Sequence, residues 1–151
     1  MIHPYYLYCN IIWGGASQAA LSTLICLQKR AVRLISKSEF RAHTGPIFSR
    51  LGILKLNDIH KFQVLIYMYK AKFDLLPGSI PKQVTPLTVS GYYNLRKDRD
   101  FLMERFRTDI RKKSIAVNGP DLWHSLSAVE KEVKSIFIFK KLLIRSFIDL
   151  Y

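Results

Sequence analysis

Lysines and arginines cluster in two stretches of the sequence, and no other residue type points as directly to a chemistry. Both side chains are cationic at neutral pH and bind phosphate groups. The chain carries 24 of them against 11 aspartates and glutamates, a net charge of +13. This imbalance predicts a polyanionic partner, either nucleic acid or an anionic membrane surface. The candidate phosphate-binding residues are Lys29, Arg30, Arg33, Lys37 and Arg41 in the first stretch, and Arg96, Lys97, Arg105, Arg107, Arg111, Lys112 and Lys113 in the second.

Aromatic residues are interleaved with the second basic stretch, at Tyr92, Tyr93, Phe101 and Phe106. Proteins that bind single-stranded nucleic acid use cations for the phosphates and aromatic rings for base stacking. The same rings would also serve as core residues of a half-buried hairpin, and that interpretation is favoured. The binding hypothesis therefore depends on the charge more than on the rings.

Motifs for catalysis are absent from the sequence. It has no adjacent aspartate pair for a two-metal polymerase site, no glycine-rich phosphate loop, no G-x-S-x-G and no H-E-x-x-H. Asp98 and Asp100 lie among basic residues, so surface ion pairing is favoured over a paired-carboxylate site. We therefore expect no catalytic residue, no metal site, no cofactor and no small-molecule substrate, and hence no enzymatic activity for this chain alone.

The two cysteines lie in apolar surroundings, at Cys9 and Cys26, without a C-x-x-C motif. The four histidines are scattered along the chain, so a zinc site is not predicted. Buried free thiols are expected instead, which suits a reducing compartment. The predicted location is intracellular, either nuclear or cytoplasmic.

The stretch from Asn57 to Pro77 predicts the helix around which the other elements pack. Apolar residues recur at helical spacing on one side of it, and further apolar residues fill much of the opposite side. A helix that is apolar nearly all round is a buried helix. Asn57 is predicted to cap its start and Pro77 to stop it. One face carries Ile59, Phe62, Ile66, Tyr69 and Phe73; the other carries Val64, Leu65, Tyr67 and Met68.

The first 28 residues contain no charged side chain, which leaves two interpretations open. Tyr5–Leu27 is long enough for a membrane span, but it contains five polar residues and is broken by Gly14-Gly15. Two helices, about Pro4–Trp13 and about Gln18–Ser36, are favoured, with Ser17 as the N-cap of the second. The inner face of this second helix is predicted to carry Leu21, Leu24, Ile25, Gln28, Val32 and Ile35.

The remaining elements are short, apart from the last helix. Pro46 to about Leu51 is predicted as a helix ended by Gly52, and residues 77–91 as an irregular connector. Lys113–Val117 is predicted as a strand paired with part of Phe101–Ile110. The later elements are a turn at Asn118–Pro120, a helix over Asp121–Leu126, a capping box at Ser127 and Glu130, and a last helix from Ser135 to about Leu150 with Ile136, Phe139, Leu143, Phe147 and Leu150 on its inner face.

Together these elements predict a mainly α fold in one domain, residues 1–151. Five or six helices pack around the central helix of about 57–76, with a small β-ribbon near 100–117. The chain divides into helices over 1–76, the connector over 77–91 and a basic C-terminal segment over 92–151.

An ordered set of short strings runs through nearly the whole chain. The strings are Pro4-Tyr5, Tyr8-Cys9-Asn10-Ile11, Trp13-Gly14, Leu27–Arg33, Ala42-His43-Thr44, Pro46-Ile47-Phe48, Leu51–Leu54, Asn57-Asp58-Ile59 with Gln63, Tyr67–Lys70, Leu75-Leu76-Pro77, Tyr93–Arg96, Gly119-Pro120, Leu122-Trp123, Ser125-Leu126 and Phe139-Lys140-Lys141. By their order and spacing, these strings resemble the region after the polymerase core in non-LTR, LINE-type (Jockey-like) retrotransposon reverse transcriptases.

This resemblance implies that residues 1–76 are thumb-like helices of an RNA-directed DNA polymerase and that residues 92–151 are its basic C-terminal extension. The endonuclease and the catalytic palm of such proteins precede this region, and their catalytic aspartates have no counterpart in this chain. The implied function is non-catalytic binding of template RNA or primer–template duplex through backbone contacts. The alternatives are a small interaction protein with an N-terminal membrane span, or a non-functional retroelement remnant.

Overall fold

Helices account for nearly all the regular structure in the computed structural model, which describes residues 3–78, 84 and 100–151. The predicted mainly α fold is confirmed. Four of the helices in the described residues have ten residues or more, and the others are short. They are α1 (His3–Leu7), α2 (Asn10–Trp13), α3 (Gln18–Ile35), α4 (Gly45–Leu51), α5 (Leu56–Lys72), α6 (Asp109–Lys112), α7 (Ile115–His124), α8 (Ala128–Glu132) and α9 (Ile136–Asp149).

Contacts within the chain divide it into two compact units, and each is described by itself. The first unit is Met1–Phe62 with Ser135–Tyr151, and the second unit is Gln63–Lys134. Helix α5 contributes its first turns to the first unit and its remainder to the second. The predicted boundaries at residues 76 and 91 remain a prediction. Of the predicted connector, only Pro77, Gly78 and Val84 are described, and Val84 is buried.

The uncharged N-terminal stretch forms three helices. Cys9 has a left-handed backbone with φ of 49°, which separates α1 from α2 inside the predicted Pro4–Trp13 helix. The side chain of Ser17 accepts a hydrogen bond of 3.3 Å from the Ala20 N–H, so α3 begins as predicted. In the part of the chain that the structure describes, no helix combines the length and the apolar character needed to cross a membrane. Cys9 and Cys26 are exposed, so the prediction of buried thiols is wrong.

A buried polar contact joins α2 to α5 within the first unit. Nδ1 of His60 lies 3.1 Å from the Asn10 carbonyl oxygen, and both residues are buried. The carbonyl can only accept, so Nδ1 donates. Gly14 adjoins the pair so closely that a Cβ there would lie 2.6 Å from that carbonyl and from Nδ1. Burial lowers the pKa of His60, and the hydrogen bond to Asn10 opposes this only in part.

Helix α5 is buried as predicted, but its ends and its most buried face differ from the prediction. No residue from Phe62 to Lys72 is exposed, and Met68 and Tyr69 are completely buried. Phe62 and Ile66 are only half-buried, so the prediction that they lie in the core is wrong. With apolar residues on every side, the spacing alone did not determine which face is deepest.

The predicted caps of α5 are also wrong. The helix begins at Leu56, so Asn57 lies in the first turn rather than at the cap. At the other end Asp74 takes a left-handed conformation with φ of 55°, and the Leu75 N–H donates to the Lys70 carbonyl at 2.8 Å. This reverse turn ends the helix five residues before Pro77.

The core of the first unit lies between α3, α4 and α9. Val32, Ile47 and Phe48 are buried at its centre, and α4 contacts both α3 and α9. Gly52 ends α4 with a left-handed φ of 63°, as its position predicted. Of the predicted inner face of α9, Phe139 and Leu143 are buried, but Leu150 is 79% exposed. Tyr151 packs against Phe48 instead, edge to face at 6.2 Å between ring centroids.

The second unit is organised around Trp123 of α7. Its ring is fully buried and meets Phe101 edge to face at 5.8 Å. Its indole Nε1 donates a 2.7 Å hydrogen bond to Oδ2 of Asp100. Nζ of Lys72 lies 3.0 Å from the same oxygen. This carboxylate therefore connects the end of α5 to α7.

The predicted ribbon near residues 100–117 is wrong. Residues 109–112 and 115–124 are helical, and within the described part of this segment Phe101 alone has a bridge pairing. Thr108 caps α6 by accepting from the Arg111 N–H, and the Ser114 carbonyl accepts from Asn118 at 2.9 Å. The Thr108 cap favours a helix over the predicted ribbon at the start of α6.

The predicted turn at Asn118–Pro120 lies inside α7, which is a further correction. Pro120 costs the helix one N–H donor, but both Gly119 and Pro120 are buried against the unit's core. A Cβ at Gly119 would lie 2.6 Å from Sδ of Met68, so the glycine permits close packing on α5. The capping box is confirmed: Ser127 and Glu130 bond each other's backbone N–H at the start of α8.

Candidate nucleic-acid interface

The first predicted basic group lies on the last two turns of α3 and the turn that follows. Lys29, Arg30, Lys37 and Arg41 are exposed, and Arg33 is half-buried. Lys29 and Arg33, four residues apart in α3, share one face of the helix. In the described residues none of the five forms an ion pair. These cations are therefore available to an anionic partner.

The first basic group, from Lys29 to Arg41, is called the basic segment below. Two hydrogen bonds fix the backbone at its C-terminal end. Lys37 is left-handed with φ of 52°, and the Ser38 N–H donates to the Arg33 carbonyl at 3.0 Å, which closes α3. Nε of Arg33 donates to the Ala42 carbonyl at 3.0 Å. Arg33 thus anchors the following turn to the helix through Nε. The N–H groups on its two terminal nitrogens are left to donate to a ligand.

A shallow depression of about 230 Å³ adjoins this segment. Two arginines, an aliphatic side chain, a hydroxyl and an exposed aromatic ring line it. The five lining residues are Arg30, Arg33, Leu34, Ser38 and Phe40.

The unit that contains this basic group carries a large excess of positive charge. The first unit contains eleven lysines and arginines and only three acidic residues, a net charge of +8. Of those acids, Asp58 is occupied by Tyr151 and Lys61, and Asp149 and Glu39 are exposed. The unit therefore presents a positive field to an approaching polyanion.

A polar framework at the start of α5 lies next to the basic group and was missed by sequence reasoning. The Gln28 amide is buried, donates to the Leu54 carbonyl at 2.9 Å and accepts from the Leu56 N–H at 3.0 Å. The Tyr151 hydroxyl accepts from the Lys55 N–H at 2.8 Å. One signal was present in the sequence, because Gln28 falls on the otherwise apolar face of α3.

A second cavity, of about 310 Å³, opens beside this framework. Lys29, a member of the first basic group, lines this cavity. Lys55 and His43 also line it and contribute further nitrogen atoms. Nζ of Lys55 lies 3.7 Å above the centre of the Tyr151 ring. Burial raises the pKa of the Tyr151 hydroxyl, and Asp58 raises it further, so the phenol stays protonated.

The second predicted basic group lies in the second unit, and the structure describes only part of it. Arg96 and Lys97 fall outside the described residues, as do Tyr92 and Tyr93. The five others are exposed, but Arg111 is paired with Glu104. The exposed members are Arg105, Arg107, Arg111, Lys112 and Lys113.

Of the two described aromatic residues in this segment, one belongs to the core. Phe101 is fully buried against Trp123, whereas Phe106 is 43% exposed. Asp100, for which the sequence predicted surface ion pairing, contacts Lys72 of α5. Burial opposes ionisation of Asp100, but the hydrogen bonds from Trp123 and Lys72 outweigh it, and its pKa is lowered.

Among the residues that the structure describes, no three histidine, cysteine or acidic side chains lie close enough together to hold a metal ion. Comparison with family models, curated proteins and solved structures yields no match for this chain.

Proposed function

We propose that this chain is a non-catalytic nucleic-acid-binding module that holds RNA or a primer–template duplex by contacts to the phosphate backbone. The observation that carries the proposal is the basic segment of the first unit. Its five cations form no ion pair among the described residues, in a unit with a net charge of +8. Resemblance to the region after the polymerase core of LINE-type reverse transcriptases supports the same function and an intracellular location.

Phosphate contacts of this kind bind without reading sequence. They release condensed counterions, so the logarithm of the binding constant falls linearly with the logarithm of salt concentration. Five neutralised phosphates correspond to a slope of about −3.5 on single strands and about −4.5 on a B-form duplex. We expect RNA binding with this salt dependence and with little sequence preference.

The test is a titration of labelled RNA at several salt concentrations with the chain and two charge-reversal variants. Lys29→Glu with Arg30→Glu removes two exposed cations of the basic segment. Arg33 is left intact because it anchors the turn at Ala42. Lys141→Glu with Arg145→Glu is the matched control, since both residues are exposed on α9 of the same unit and the net charge changes equally.

The first variant is expected to weaken binding to all sequences alike and to flatten the slope by about 1.4. The control is expected to lose much less affinity. An equal loss of RNA affinity in the two variants would contradict the assignment of the binding site to α3. Absence of RNA binding even at low salt would remove the proposed function itself.

A further inference from the structure

Phe40 is an exposed aromatic residue beside the basic segment, and little of its side chain is buried in the core. Its side chain is 75% exposed, in the turn between α3 and α4. The neighbouring Arg41 and Glu39 are exposed as well. Proteins that bind single-stranded nucleic acid place aromatic rings next to cations in this way.

The turn that carries Phe40 is anchored on both sides. The Ala42 N–H donates to the Glu39 carbonyl at 3.0 Å, and the Ala42 carbonyl accepts from Arg33 at 3.0 Å. On the other side the hydroxyls of Ser36 and Ser38 are hydrogen-bonded at 2.7 Å. Ala42 itself packs against the core of the first unit. The backbone beneath the ring is therefore pre-organised before any ligand binds.

The surroundings of the ring combine two kinds of contact. Phe40 and Leu34 are the apolar walls of the shallow depression described above, and Arg30 and Arg33 are its cationic walls. Single-stranded nucleic acid presents base faces and phosphates together, whereas in a duplex the bases are stacked inside and offer no free face. The depression matches the single strand on both counts.

We infer that Phe40 is a stacking platform for one base of a single-stranded nucleic acid, whose flanking phosphates are held by Arg30 and Arg33. The inference rests on the proposed function and narrows its ligand from nucleic acid in general to single strands. Base–aromatic contacts of this kind tolerate any base, so no sequence motif is required.

The test compares a single-stranded RNA with a duplex of the same length, using Phe40→Ala, Phe40→Trp and the control Phe137→Ala. Phe137 is 79% exposed on α9 of the same unit, so both alanine variants remove a surface ring without opening the core. Phe40→Ala is expected to weaken single-strand binding by about 5-fold or more and to leave duplex binding unchanged. Phe40→Trp is expected to retain affinity, with added indole fluorescence that the bound strand quenches.

The same titrations distinguish this inference from the function on which it rests. If RNA binds with the expected salt slope but Phe40→Ala behaves like Phe137→Ala, the stacking platform is wrong and the proposed function stands. If no RNA binds, both are wrong. A third arm uses anionic phospholipid vesicles: loss of vesicle binding in Phe40→Ala with RNA binding intact would make this surface a membrane contact and overturn the inference.

Discussion

The hydroxyl of Tyr151 donates a 2.8 Å hydrogen bond to Oδ2 of Asp58, which lies 93 positions earlier in the chain. The Tyr151 hydroxyl oxygen in turn accepts a hydrogen bond from the Lys55 N–H at 2.8 Å. A helix start leaves several N–H groups without intrahelical partners. Tyr151 therefore acts as a cap for α5 that is supplied from the far end of the sequence.

Replacing Tyr151 by phenylalanine tests this cap, because the ring and its packing on Phe48 are kept while the hydroxyl is lost. The Lys55 N–H then loses its acceptor, and we expect the free energy of unfolding to fall by about 1–3 kcal/mol. Urea unfolding measures the loss. Tyr5→Phe removes a hydroxyl from a side chain that is 78% exposed and should change stability very little. Equal effects of the two variants would contradict the capping role.

Gln28→Leu tests the second non-local support of α5. The substitution leaves the Leu54 carbonyl and the Leu56 N–H without their side-chain partner in a buried position. We expect a loss of about 2–5 kcal/mol in the free energy of unfolding. Gln18→Leu changes an exposed glutamine at the start of the same helix and is expected to cost less than about 0.5 kcal/mol. A Gln28→Leu protein as stable as the Gln18→Leu control would show that the amide is dispensable.

The lowered pKa of His60 predicts a loss of stability as the pH falls. Above the ordinary value of 6.5 the ring is neutral in both folded and unfolded chains, so its contribution is fully present. Below that value the unfolded chain takes up a proton that the folded chain resists, and the contribution declines. The difference in unfolding free energy between the native chain and His60→Gln should therefore shrink from about pH 7 to about pH 5. His43→Gln, at an exposed position, serves as the control; a pH-independent His60 difference would contradict the buried neutral ring.

Asp100 predicts a second pH dependence, at lower pH. Its pKa is lowered in the folded chain, so its contribution is present above the ordinary value of 3.8 and is lost as the pH falls through the folded value. The stability difference between the native chain and Asp100→Asn should be largest near neutral pH and should diminish below about pH 4. The exposed Asp121→Asn provides the comparison, on the same unit. A difference that persists unchanged in acid would mean that the Asp100 charge contributes nothing.

The absence of paired carboxylates from the sequence predicts that the purified chain does not extend a primer. Two-metal nucleotide transfer needs acidic ligands that hold both ions about 4 Å apart. We expect no template-dependent incorporation of dNTPs with Mg²⁺ or Mn²⁺, measured against a contamination control from a mock purification. Incorporation that follows the protein through purification would refute the non-catalytic assignment.

Short-range patterns in the sequence predicted several features correctly. Ser17 at the start of α3, Gly52 at the end of α4 and the Ser127–Glu130 capping box each involve groups within one helical turn of each other. A local window contains everything that determines such features. The mainly helical fold and the positive charge at the end of α3 follow from the sequence for the same reason.

The tertiary structure decided the features that depend on residues far apart in the sequence. Gln28 and Tyr151 set the start of α5 through hydrogen bonds that span 26 to 96 positions, and Asp100 pairs with Lys72, which lies 28 positions earlier. The anchoring of the Phe40 turn by Arg33 also crosses a helix end. Local sequence patterns do not predict these contacts, because the partner residues come together only when the helices have packed against each other. The same reason explains why α7 is a helix through Gly119 and Pro120: burial against Met68 outweighs local turn preference.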